Sequence, residues 1–77
     1  MNAVRRKKIS KIMDALAQLQ EDLQEVLEDE QEAFDNMPES IQYSERGDAM
    51  QEGLDILEEA VSGIEDIATN LEDVIGG

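Results

Sequence analysis

Ile9-Ser-Lys-Ile-Met-Asp-Ala-Leu-Ala-Gln-Leu-Gln-Glu-Asp-Leu-Gln-Glu-Val26 decides the fold of this chain. Its apolar residues Ile9, Ile12, Leu16, Leu19, Leu23 and Val26 step alternately three and four positions apart. A helix returns a side chain to the same face every 3.6 residues, whereas a strand does so every second residue, so this spacing reads as an amphipathic helix. The six residues are successive a and d positions of a heptad; Ala33 and Met37 continue the frame and Glu30 alone breaks it. Met13, Leu27 and Phe34 add an e-position flank, which makes the apolar face broader than a two-stranded seam. Neither Gly nor Pro occurs from Val4 to Asp35, where strong helix formers dominate. A helix of about 30 residues and about 45 Å is expected.

The second half repeats the pattern. Met50, Leu54, Leu57, Val61, Ile64, Ala68, Leu71 and Ile75 alternate four and three apart, now with a g-position flank of Ala60, Ile67 and Val74. Its last 21 residues are three versions of one heptad, beginning at Leu57, Ile64 and Leu71. Gly53 and Gly63 each weaken a helix by about 1 kcal/mol relative to Ala, so this helix leans more on packing. Gly76-Gly77 is a natural stop.

Between the helices, Pro38 turns Met37 away from the helical region, so the first helix should end near Asn36. Ser44 is a fitting N-cap, with Glu45 and Asp48 well placed in the turn that follows. Met37, Ile41 and Tyr43 give the loop apolar weight, which favours a packed connection. The expectation is one all-α domain over 1–77: helix at about 3–35, loop 36–44, helix at about 45–75, folded back as an antiparallel hairpin. Leu23 then falls near Val61, Leu19 near Ile64 and Ile12 near Leu71. Each helix keeps an apolar flank that one seam does not bury, and such a patch is larger than monomers tolerate. Self-association follows, most simply a two-fold dimer forming a four-helix bundle, with a larger assembly or a heterologous partner helix as the other ways to cover the flank. The core and oligomer contacts are assigned to Ile12, Leu16, Leu19, Leu23, Val26, Leu57, Val61, Ile64, Ile67 and Leu71.

Several functions are disfavoured by composition. The chain of 77 residues has no Cys and no His, so it lacks a thiolate nucleophile, the commonest general base and the commonest metal ligands. No Gly-rich phosphate loop precedes a helix, and no calcium-loop spacing occurs. The expectation is no enzyme, no metal and no cofactor. Apolar runs are too short to span a membrane or form a signal segment, which points to the cytoplasm.

The charge is polarised. Arg5, Arg6, Lys7, Lys8 and Lys11 lie in the first eleven positions, which hold no acid; the other 66 residues hold all 20 acids and one base, Arg46. Such a field repels duplex nucleic acid and favours basic partners. Asp14, Glu21, Glu28 and Asp35 repeat along the f positions of the first helix; Glu45, Glu52, Glu59, Asp66 and Asp73 do so along the second, doubled by Glu58, Glu65 and Glu72. One reading is a solvated outer face. The other is a polyanionic surface imitating nucleic acid, favoured by the lack of interleaved Lys for i to i+4 ion pairs. The basic head either pairs with Glu65, Glu72 and Asp73 at the other helix's end, contacts phosphate, or captures an anion between subunits. In the loop, Tyr43, Ser44 and Arg46 are candidate anchors, joined by Arg5 and Arg6 if a ligand lies between subunits.

Asp35-Asn36-Met37-Pro38-Glu39, followed by Gln42, Ser44 and Arg46 after an Arg-Arg-Lys start, resembles short uncharacterised helical-hairpin proteins encoded by bacteriophages and prophages. The resemblance spans most of the chain and carries no activity or functional residue. It implies a setting: a small accessory protein of a mobile element, acting by binding in the cytoplasm of a bacterial host. The reading is therefore an acidic binding or inhibitory protein that associates with itself and with a basic host protein. An oligomeric sponge for a small anionic nucleotide, and a structural or assembly subunit, stand as alternatives.

Overall fold

The computed structural model describes residues 1–76. Among them the elements are all helical: α1 (Ala3–Asp35), α2 (Glu39–Gln42) and α3 (Glu45–Gly76). The stop assigned to Gly76-Gly77 falls in part on Gly77, outside the described residues. Helix α1 opens on Asn2, whose side chain accepts the Arg5 N–H at 2.9 Å and so satisfies one of the free donors of the first turn. It ends at Asn36 in an ordinary right-handed conformation, and no positive φ occurs among the described residues.

Helices α1 and α3 pack along their lengths as an antiparallel pair. Leu19 and Ile64 share one groove, Glu30 and Leu57 a second, and Leu27 and Glu58 a third. The result is a rod of 58 × 15 × 13 Å with a radius of gyration of 17.4 Å. A compact chain of this length would have about 11–12 Å. Two helices alone cannot enclose a core, and only Leu27 and Leu54 are buried apolar residues among those described.

The seam differs from the expected one. In α3 the a and d residues Met50, Leu54, Leu57, Val61, Ile64, Ala68, Leu71 and Ile75 all turn at least partly inward. In α1 the inward residues are mainly the a and e columns, Ile9, Met13, Leu16, Gln20, Leu23, Leu27, Glu30 and Phe34, with Gln24 and Gln31 partly covered beside them. The d column, assigned to the hairpin seam from spacing, lies outside it: Ile12, Leu19 and Val26 are 52, 55 and 51 % exposed. Met13, Leu27 and Phe34 of the e column take the inward place instead.

The loop is packed. Helix α2 provides one turn, with Ile41 and Gln42 N–H groups donating to the Pro38 carbonyl at 2.9 and 3.0 Å. The Gln42 side-chain amide donates back to the Phe34 and Met37 carbonyls at 3.0 and 3.1 Å. It thereby satisfies acceptors that a helix C-terminus leaves free. Ser44 caps α3: its hydroxyl accepts the Gly47 N–H at 3.4 Å and donates to the Ile41 carbonyl. Gly47 makes this turn possible, because a Cβ there would stand 2.0 Å from the Gln42 carbonyl oxygen.

Candidate interaction surface

Two long faces of the rod contrast in chemistry. On one, Gln24, Glu28, Gln31, Glu32 and Asp35 of α1 meet Glu58 of α3. This face is rimmed by carboxylates and amides at the loop end, with the buried Leu27 at its floor. On the other, Leu19, Leu23, Val26 and Ile64 line an apolar groove, continued toward the loop by Met50, Gly53, Ile56 and Leu57 with Glu30 and Arg46 at its edge. Ile67 and Val74, the g-column residues of α3, are 50 and 46 % exposed and extend the apolar face toward the head. The candidate core residues thus divide. Leu16, Leu23, Leu57, Val61, Ile64 and Leu71 are half-buried in the hairpin; Ile12, Leu19, Val26 and Ile67 face solvent.

The carboxylate stripes are exposed from end to end. Glu52, Glu58, Glu59, Glu65, Asp66, Glu72 and Asp73 all lie open to solvent. What stabilises the helix surface beside them is a neutral donor. Gln18, Gln31 and Gln51 donate to Asp22, Asp35 and Asp55 at 3.0, 2.9 and 3.2 Å, each one helical turn on. Gln24 donates likewise to Glu28 at 3.3 Å. These pairs support a helix as i to i+4 ion pairs do, but they leave the negative charge standing. The signal was present in the sequence as Gln placed four residues before an acid.

The loop and head candidates are separated. Tyr43 is 81 % exposed, and Arg46 is exposed beside the apolar groove. Both hydroxyl functions of Ser44 serve the α3 cap, so it belongs to the loop's structure. Arg5 and Arg6 are exposed at the opposite end of the 58 Å rod, so one hairpin cannot bring them to Arg46. No cluster of three or more acids suited to a metal ion occurs among the described residues, and no described helix is long and apolar enough to cross a membrane. No protein-family model, curated protein or solved structure matches this chain.

Proposed function

We propose that the chain is a non-enzymatic binding protein that works as a homo-oligomer and presents its acidic exterior to a basic partner. One observation carries this reading: an apolar face left open along a rod whose loop half is otherwise covered by carboxylates with a single base, Arg46. Apolar faces of this length are covered in working proteins, and here two hairpins closing as a four-helix bundle cover it. The bundle's outer surface is then a double set of acidic stripes, a field that draws basic surfaces and repels nucleic acid. In the bacteriophage setting that the loop motif resembles, such a surface inhibits or modulates a nucleic-acid-binding host protein by occupying its basic groove.

The test is capture from bacterial lysate on the immobilised chain, read by mass spectrometry at rising salt. Basic proteins retained at low salt and released by about 0.5 M support the reading, because contacts between exposed charges are screened within a few ångströms at that strength. Retention that ignores salt, or no retention by the bundle of any basic protein, opposes it.

A further inference from the structure

We infer that the occupant of the apolar face is a second copy of this chain lying head to loop, with the basic end of each hairpin over the acidic loop half of the other. This deepens the self-association proposed above and rests on it. Surface area supports a partner of this size. The hairpin exposes 5759 Å², against about 4,700 Å² for a compact monomer of its mass. The excess of about 1,000 Å² is comparable to the roughly 800 Å² that each partner loses in a standard interface.

Charge selects the orientation. The loop half of the folded rod, residues 20–59, carries 15 acids against Arg46, a net charge of −14. The head half carries five bases and five acids and is neutral. Two hairpins sharing an end stack both −14 halves together; reversing one places each against a neutral half with five cations. The same preference holds along the edge of the apolar face. On α1, Arg5 and Lys8 lie on the d and g columns at the head, and Asp22 and Asp29 on the g column toward the loop. Reversal about the level of Leu19 brings Lys8 of one copy to Asp29 of the other. A two-fold axis along the rod, with ends shared, would instead lay α1 of each copy over α3 of the other, setting Asp22 and Asp29 against the loop half of α3, which carries Glu45, Asp48, Glu52, Asp55, Glu58 and Glu59 against the single base Arg46.

Side-chain size agrees with charge. The g column of α3 tapers from Val74 and Ile67 at the head to Ala60 and Gly53 toward the loop. Reversed about the same level, where Leu19 and Ile64 share a groove, Ile67 of one copy comes over Ala60 of the other and Val74 over Gly53. A Cβ at Gly53 would meet nothing within 4 Å inside the hairpin. The hairpin therefore gives no reason to keep this glycine in mid-helix, whereas a seated Val74 does.

The experiment uses the whole chain, which has no native Cys. Single Val4→Cys and Ser40→Cys variants place spin labels on exposed sites at the two ends. Light scattering should report a dimer, and Val4 labels should lie about 50 Å apart, as the 1.5 Å rise per residue across the rod requires. Mixed Val4 and Ser40 labels should give a short distance. Val4 labels within about 25 Å of each other would place the heads together, as neighbouring helices are about 10 Å apart, and would overturn the orientation while leaving self-association intact. A monomer at 100 μM would overturn both. Gly53→Leu should lose the dimer with helicity retained, while Ser62→Leu, at an exposed position among Asp55, Glu58, Glu59 and Asp66, should keep it; dimers of equal strength from both variants would overturn the seating of Val74 over Gly53.

Discussion

Gly47 and Gly63 lie in the same helix and have opposite physical roles. A Cβ at Gly47 would collide with the Gln42 carbonyl oxygen and carbon at 2.0 and 2.5 Å, both backbone atoms that cannot swing aside. Gly47→Ala must therefore push α2 off the start of α3, with a loss of about 1–3 kcal/mol of the kind overpacking produces. At Gly63 an added Cβ meets nothing within 4 Å. Gly63→Ala should raise stability by up to about 1 kcal/mol through helix propensity alone. Urea midpoints of the two variants should shift in opposite directions; a rise in both would mean that the loop does not pack as described. Leu54 is the third decisive residue, at 1 % exposure the only fully buried side chain among those described. Leu54→Ala should cost about 2–5 kcal/mol, large for a chain with so small a core.

Among the helices, spacing alone made the two long elements and their contact legible, because 3-4 periodicity has no other regular solution. Ser44 was legible as a cap for the same kind of reason: its place before Glu45 and Asp48 is a local pattern. The rotation of α1 was not. A face three columns wide fits a partner through either pair of adjacent columns, and the choice between a/d and a/e turns the helix by about 50°, half of one residue step. That choice depends on how Met13, Leu27 and Phe34 fill the space against α3, a tertiary matter. Gln42 as a C-terminal cap was hidden likewise, since it reaches back eight residues to Phe34. The rotation makes a sharp prediction. Leu23→Asp or Val61→Asp should unfold the hairpin, because each puts a charge into the half-buried seam. Leu19→Asp, on the exposed column, should leave helicity intact by circular dichroism and abolish association. If Leu19→Asp unfolds the chain as Leu23→Asp does, the d column lies in the hairpin seam after all.

At the scale of the whole molecule, charge opposes the fold that the apolar seam makes. The chain carries −14, and the recorded Gln-to-acid bonds neutralise none of it. Successive f-position carboxylates stand seven residues apart, about 10 Å along the helix. That distance falls well inside the screening length of about 30 Å at 0.01 M salt and equals the length of about 10 Å at 0.1 M. About half of the repulsion between such neighbours should therefore disappear between those two concentrations. The thermal midpoint, followed by circular dichroism at fixed protein concentration, should rise over that interval and flatten only toward about 1 M, where the screening length is about 3 Å. A relief of about 1 kcal/mol corresponds to about 4–8 °C for a domain of this size. The dimer should tighten over the same interval, since bringing two −14 chains together is the larger charge effect and the head-to-loop attraction the smaller. A midpoint that falls with salt would mean that attractive pairs between head and loop outweigh repulsion along the stripes. The carboxylates would then be holding the bundle together, and a surface so engaged is not free for a basic partner.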